Sequence, residues 1–413
     1  MPAASHAADA GTLIVGAGQA GLTVAETLRK GGYAAPVTLI GAEADAPYQR
    51  PPLSKGYLLG DVGRDRLALK PPEWFARHDV TLRTGLRVAE IELESRHVRL
   101  ADGERLAWRH LVIATGARPR PLPEAIGGRL AGVHTIRART DIDRLRADLV
   151  PGARLLVIGG GYIGLEAAAA ARTRGLEVVL IESAPRLLAR VTGAETADWL
   201  AETHRRNGVD LRLGCQLVRL HGADRVTAAE FGDGSRIAVD CVVVGIGALP
   251  ETALAEQADL ACANGIRVDA RGRTSREGVW AAGDCATFDL PDGPLRLESV
   301  GNAVDTGALV ARNILGADDA YAPEPWFWSD QYATKLQIAG LSAPGDAVVV
   351  RDVAGEGRSH WYIRSGRLVA VDALGAPRAY MSARKLLKAG LTPPTDRIGD
   401  PKTPLGDLLA TCR

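Results

Sequence analysis

Cysteine is sparse and dispersed: the 413 residues hold five, Cys215, Cys241, Cys262, Cys285 and Cys412, with no CxxC or CxxxxC pair among them. That spacing excludes a disulfide framework, a zinc site, an iron–sulfur centre and a dithiol relay within the chain. None of the eight histidines falls in a HExxH or similar pattern, so no metal site is expected, and the absence of GxSxG and Walker A motifs removes the common hydrolase and NTPase readings. Charge of either sign is not in excess: 50 Lys and Arg against 49 Asp and Glu leave +1, which offers no general attraction to nucleic acid or an anionic membrane. No stretch approaches the 18 or so consecutive apolar residues of a membrane span. The N-terminal MPAASHAADAG has no basic segment leading into an apolar run, so a cytoplasmic location is expected.

What is present is ordinary globular composition, with 46% hydrophobic and 24% charged residues, on a chain long enough for two or three domains. An apolar run at Thr12 to Val15 enters a glycine turn, a helical pattern follows from about Gln19 to Arg29, and a second strand is predicted at Val37 to Ile40. The same order returns at Arg154 to Ile158, an Ala-rich helix through Arg174, and Glu177 to Ile181. Leu111 to Ala114 and Cys241 to Val244 read as strands that close the two repeats, with a further strand at Val279 to Ala282 and a helix from about Asn302 to Leu315. After the Pro-rich Ala322 to Pro325, alternating segments at Ala347 to Arg351, Ser359 to Ile363 and Leu368 to Ala373 predict antiparallel strands, followed by a helix at Tyr380 to Lys388. The Pro-rich tail after Thr392 reads as a surface segment.

Each βαβ repeat carries a GxGxxG fingerprint, Gly16-Ala17-Gly18-Gln19-Ala20-Gly21 and Gly159-Gly160-Gly161-Tyr162-Ile163-Gly164. The first glycine permits the tight turn, the second lets backbone approach a pyrophosphate, and the third lets helix pack on strand, while the helix N-terminus offers amides and a positive dipole end to phosphates. Glu43 and Glu182 each follow the second strand of their repeat, where a carboxylate accepts hydrogen bonds from a ribose diol. Glu182 would also repel a 2′-phosphate, which favours NADH over NADPH; Arg186, four residues on, is the residue that could offset it.

At this level the chain resembles the oxygenase-coupled, NADH-dependent ferredoxin reductases. The resemblance rests on PYQRPPLSK (Pro47 to Lys55), ATGARPR (Ala114 to Arg120), GGGYIGLE (Gly159 to Glu166), AAGDCA (Ala281 to Ala286), ESV (Glu298 to Val300) and WFWSDQY (Trp326 to Tyr332), which span nearly the whole chain. It implies an α/β fold of two Rossmann-like dinucleotide-binding domains plus a C-terminal α+β interface domain. FAD would be held by residues 1–115 and 250–325, NADH by 116–249, and 326–413 would form the interface domain. It further implies an ion pair of Lys55 and Glu166 beside the flavin, the catalytic candidates. FAD contacts would come from Asp284 at the ribityl chain and from Ala20, Lys55, Val88, Arg137 and Val300, with Trp328 near the flavin edge where a ferredoxin docks.

By the same resemblance, electrons pass from NADH through FAD to a 2Fe–2S ferredoxin that feeds a cytochrome P-450 monooxygenase, with a Rieske aromatic-ring dioxygenase as the nearest alternative. Docking of that acidic carrier would be transient and electrostatic, and Lys70, Arg312, Lys335, Lys385 and Lys388 are the candidate basic residues. Gly301 and Gly307 depart from the family, which usually has a proline and a bulkier residue there; that puts the local flavin contacts and docking face in question. Two other classes stay open: a redox sensor similar to apoptosis-inducing factor, and a direct NADH oxidase or quinone reductase, the oxidase weakened by the lack of a suitable cysteine.

Overall fold

A computed structural model describes residues 10–412, which cluster into two compact units. Most of the N-terminal stretch behind the cytoplasmic expectation lies outside the described residues. The first unit gathers the chain up to residue 49 with residues 64–118 and 248–323; the second gathers 50–63, 119–247 and 324–413.

At the centre of the first unit, Thr12–Val15 is buried at every position. It pairs in parallel with Val37–Ile40 on one side and His110–Ile113 on the other, and Val80–Arg83 and Val279–Ala281 complete a five-stranded parallel sheet. Parallel neighbours need a crossover, and the helix Gln19–Lys30 supplies the first, presenting Leu22, Val24, Ala25 and Leu28 to the interior. The helix Val300–Ile314 packs on it. Gly307 explains how closely: a Cβ there would lie 2.7 Å from the Ala20 carbonyl oxygen. The missing side chain, seen in the sequence as a departure, is what lets the two helix backbones approach.

The second unit repeats the parallel arrangement in the order Val209–Leu213, Glu177–Glu182, Arg154–Ile158, Cys241–Val244, Val133–His134. Its C-terminal part is a five-stranded antiparallel sheet ordered Trp326–Gln331, Thr334–Gly340, Arg367–Leu374, Gly357–Arg364, Ala347–Val353, on which the helix Pro377–Ala389 packs. The first hairpin of that sheet, across Trp326 to Gly340, has no counterpart among the sequence-predicted strands, because its aromatic run lacks a clean apolar–polar alternation. The tail also differs from expectation. Ile398 and Leu408 are fully buried, and the Arg351 guanidinium donates to the carbonyls of Ile398, Asp400 and Thr403 at 3.2, 2.7 and 2.9 Å. A buried arginine thus ties the Pro-rich tail to the sheet, where composition alone placed it on the surface.

A buried polar cluster joins the helix Ala194–Arg206 to this sheet. Tyr362 donates to the Asp372 carboxyl at 2.6 Å, and Thr196 donates to the same oxygen at 2.7 Å. His360 Nδ1 lies 2.6 Å from Thr196 Oγ1, and the Arg358 Nε–H donates to its other ring nitrogen at 3.1 Å. With one nitrogen accepting, the ring is neutral and carries its proton on Nδ1. Burial pushes the His360 pKa down to about 4 from about 6.5, a difference equivalent to roughly 3 kcal/mol. The unfolded chain therefore takes up the proton first as pH falls, and stability is lost between about pH 6.5 and 4. Burial of Asp372 raises its pKa, which works in the opposite sense, costing stability as pH rises through that group's own range. We expect the unfolding temperature to drop across pH 6.5 to 4.5, and to drop less in His360→Gln; identical slopes in both proteins would assign the pH dependence elsewhere.

Candidate functional site

The two fingerprints turn alike. In the first unit, Gly16 (φ +117°) could not carry a Cβ, which would sit 2.1 Å from the Ala114 carbonyl oxygen; one at Gly21 would sit 2.0 Å from the Gly16 oxygen. In the second unit, Gly159 (φ +103°) and Gly164 meet the same obstacles, at 2.4 Å from the Gly245 oxygen and 2.1 Å from the Gly159 oxygen. The first and third glycines are thus required by the protein's own packing. The second is not: a Cβ at Gly18 has nothing within 4 Å, and one at Gly161 has a single neighbour at 3.9 Å. Gly18 and Gly161 are also the N-caps of the helices Gln19–Lys30 and Tyr162–Thr173, and no side chain caps either helix. Open space over uncapped amides at a positive helix end fits a pyrophosphate, so both sites have the build for a dinucleotide.

Glu43 follows Val37–Ile40 and accepts from the Tyr48 hydroxyl. Glu182, the last residue of its strand, accepts from the backbone amides of Gly160 at 2.7 Å and Ala184 at 2.8 Å. Those bonds fix the carboxylate at the rim of the glycine turn. Arg186 is spent on its own loop, donating to the carbonyls of Thr192 and Ala189 at 2.7 and 3.0 Å, so it is not turned toward a 2′-phosphate.

Within the second unit, the Lys55 ammonium stands 2.7 Å from Glu166 Oε1. Pro51 and Pro52 open the short 3-10 turn ending at Ser54, which positions Lys55. Glu166, in the helix Tyr162–Thr173, is only 3% exposed. Sequence reasoning found this pair but missed its surroundings. Ser54 donates to the other carboxylate oxygen, Ser329 donates to Oε1 at 2.6 Å, and behind Ser329 stand Gln331 and His204. The signal was present in the strand Trp326–Gln331, whose period of two sets Phe327, Ser329 and Gln331 on one face. Phe327 packs on Tyr162 at 4.4 Å, while Trp326 and Trp328 stack together at 5.5 Å.

Of the other anticipated residues, Asp284 lies in the turn Gly283–Cys285, partly exposed between two buried neighbours, and Val300 opens the helix capped by Ser299, whose side chain accepts from the Asn302 amide at 3.0 Å. Val88 is 6% exposed and belongs to the core of the first unit, so its side chain is packing. Arg137, in the second unit, accepts at its carbonyl from Arg50 at 2.7 Å. The basic candidates are mostly committed: Lys70 to Glu26, Lys388 to Glu324 and Arg312 to Asp319, at 2.9, 2.9 and 2.7 Å, with Lys335 more loosely by Asp330 at 3.8 Å. Burial raises the thiol pKa of Cys285 and pushes that of Cys241 up to about 12, so both stay protonated. Among the described residues no group of His, Cys, Asp and Glu could hold a metal ion, and no helix is long and apolar enough to cross a membrane.

Two dinucleotide turns without reactive thiols beside them define a two-nucleotide flavoprotein oxidoreductase rather than a dithiol enzyme. The family model for pyridine nucleotide-disulphide oxidoreductases matches residues 11–307, and the reductase C-terminal model matches 326–409. The chain is 41% identical to the anthranilate 1,2-dioxygenase system ferredoxin–NAD(+) reductase component of Burkholderia cepacia, over 96% of this chain and 98% of that one. It superposes on the reductase of the covalent putidaredoxin reductase–putidaredoxin complex with a TM-score of 0.94, 36% identity and coverage of 98% and 99%. For the ferredoxin reductase for the CYP199A2 system from Rhodopseudomonas palustris, the values are 0.93, 37%, 97% and 99%. The chain belongs to the pyridine nucleotide-disulphide oxidoreductase family, and within it to the putidaredoxin reductase-like ferredoxin reductases, enzymes that use FAD and NAD(H).

The glycines yield a contrast. Gly18→Val should leave the unfolding temperature of the FAD-free protein within about 2 °C of wild type while lowering FAD affinity at least tenfold. Gly21→Val, which drives a side chain into the Gly16 carbonyl, should fail to give folded protein. Flavin-to-protein absorbance and thermal unfolding read both, and full FAD content in Gly18→Val would remove the pyrophosphate reading of that turn.

Proposed function

We propose that this protein passes electrons from NADH through FAD to a 2Fe–2S ferredoxin serving a cytochrome P-450 monooxygenase in the cytoplasm. The observation that carries the reading is the want of an internal acceptor: the cysteines are all unpaired and lie apart in the sequence. Electrons taken from NADH have no dithiol to enter, so an external carrier must collect them. The ferredoxin reductases similar to this chain along their whole length supply the kind of carrier.

In this reading the first fingerprint, with Ala20, Glu43, Asp284 and Val300, holds FAD through residues 1–115 and 250–325. The second, with Gly159, Gly161, Gly164 and Glu182, holds NADH through residues 116–249. Bound FAD supplies the conversion between two-electron and one-electron transfer. The chain's part is positioning and electrostatics: Lys55 presents a positive charge where the reduced cofactor gains negative charge, and Glu166 fixes the lysine. Residues 326–413 meet the ferredoxin, with Trp328 near the flavin edge. Because Lys70, Arg312 and Lys388 already have carboxylate partners, Lys335 and Lys385 are the stronger docking candidates.

A Rieske dioxygenase as terminal acceptor is the second reading, favoured by the 41% identity to a dioxygenase-system reductase. The function is tested by NADH-driven cytochrome c reduction with and without a 2Fe–2S ferredoxin. Turnover at least tenfold faster with the ferredoxin is expected; fast reduction of oxygen or quinone without a carrier would contradict it. Supplying a P-450 or a Rieske oxygenase through the same ferredoxin separates the two terminal readings.

Nicotinamide choice should follow Glu182. Glu182→Gln removes the charge that repels a 2′-phosphate, so the NADH-over-NADPH ratio of kcat/KM should fall by about tenfold, equivalent to about 1.4 kcal/mol. An unchanged ratio would transfer the selectivity to other residues.

A further inference from the structure

A line of polar groups runs from Glu166 into the C-terminal sheet and through His204 of the helix Ala194–Arg206 to Tyr332. Ser329 donates to Glu166 at 2.6 Å, Gln331 Nε2 lies 3.1 Å from Ser329 Oγ, His204 Nε2 lies 2.9 Å from Gln331 Oε1, and the Tyr332 hydroxyl lies 3.2 Å from His204 Nδ1. Glu166, Ser329, Gln331 and His204 are each 3% exposed or less. Groups so deeply buried are kept only when their hydrogen bonds are made.

The direction of every bond follows from the charge at one end. Glu166 faces the Lys55 ammonium and, as a carboxylate, only accepts. Ser329 must therefore donate its proton to Glu166, and its oxygen is left to accept. Gln331 must turn its NH2 toward Ser329 and its carbonyl toward His204. That carbonyl requires an N–H on His204 Nε2, which leaves Nδ1 bare to accept from Tyr332. Burial lowers the His204 pKa, in keeping with a neutral ring.

The far end of the line is strained in its favour. Tyr332 has φ +54° in the two-residue turn between Trp326–Gln331 and Thr334–Gly340, a conformation that a bulky side chain seldom adopts. In that conformation its hydroxyl reaches His204, and its ring meets the imidazole edge-on at 5.2 Å and 62°. A glycine would make the turn more easily but would carry no donor.

We propose that Tyr332, His204, Gln331 and Ser329 are positioning residues: a one-way chain of hydrogen-bond donors that ends on Glu166 and holds its carboxylate oriented against Lys55. Each donor polarises the next, so removing a middle link weakens the hold on Glu166 without touching it. The consequence for electron transfer rests on the reading of Lys55 and Glu166 as the flavin-side pair given above; the bond directions do not.

Two measurements on the holoenzyme separate these statements. Nitrogen-15 NMR of histidine-labelled protein should show His204 as the neutral Nε2–H tautomer, and Gln331→Met, which removes the acceptor, should abolish that preference. The Nδ1–H tautomer in wild type would overturn the chain. Stopped-flow bleaching of the flavin by NADH should slow at least tenfold in Lys55→Met, and about threefold to tenfold in Gln331→Met and in Ser329→Ala, with FAD content and NADH KM unchanged in the latter two. Slow bleaching in Lys55→Met beside wild-type bleaching in Gln331→Met and Ser329→Ala would overturn the positioning role. Wild-type bleaching in Lys55→Met would instead defeat the flavin-side reading of the ion pair, with the His204 tautomer still deciding the chain.

Discussion

An ionised carboxylate at 3% exposure is the constraint around which the second unit is arranged. Taking a charge out of water is unfavourable by several kcal/mol unless donors replace the lost hydration. Glu166 has Lys55, Ser54 and Ser329 for that purpose. Glu166 and its donors come from three parts of the sequence: the helix after the second glycine fingerprint carries the carboxylate, and the Pro51–Ser54 turn with its following lysine and the first strand of the C-terminal sheet supply the donors. Removing any one donor leaves part of a buried charge unmatched, so the chemistry required of Glu166 and the packing of these segments are one condition.

The same economy governs the glycine turns. Two of the three fingerprint glycines are dictated by backbone oxygens about 2 Å from where a Cβ would be, and this internal crowding brings the helix N-terminus up against the strand exit. The second glycine of each fingerprint faces open space, and that opening over uncapped amides is where we propose the dinucleotide binds. Glu182 is then drawn to the rim of its turn by two backbone amides, which spares its position from depending on bound nucleotide. Along the Ala194–Arg206 helix, Thr196 and His204 share one buried face, one reaching Asp372 and the other Gln331. The nucleotide-binding sheet and the C-terminal sheet of this unit are thereby joined by polar contacts with defined geometry as well as by apolar packing.

Much of this was legible in the residues. Both βαβ repeats, their glycine turns and the acids after their second strands are local patterns, and local patterns survive folding with boundaries shifted by a residue or two. The Lys55–Glu166 pair was legible only by resemblance, since nothing local joins positions 111 residues apart. What escaped depends on tertiary contact. His204 looks like a polar residue near a helix C-terminus until the sheet covers it. Ser329 and Gln331 sit among aromatics that draw attention to the opposite face of their strand. The Pro-rich tail looked solvated because the arginine that organises it, Arg351, lies about 50 residues upstream. Gly307 read as a weakness in the flavin region and turned out to be the contact between two helices.

The negative charge of Glu166, rather than its bulk, is what we propose sets Lys55 for electron transfer from NADH. Glu166→Gln keeps the shape and removes the charge, so the direct measurement is the rate at which NADH bleaches the flavin in this variant, at full FAD occupancy. A rate at least tenfold below wild type is expected, about 1.4 kcal/mol or more of lost stabilisation; a wild-type rate in folded, fully flavinated Glu166→Gln would show that the bulk of the side chain suffices without its charge.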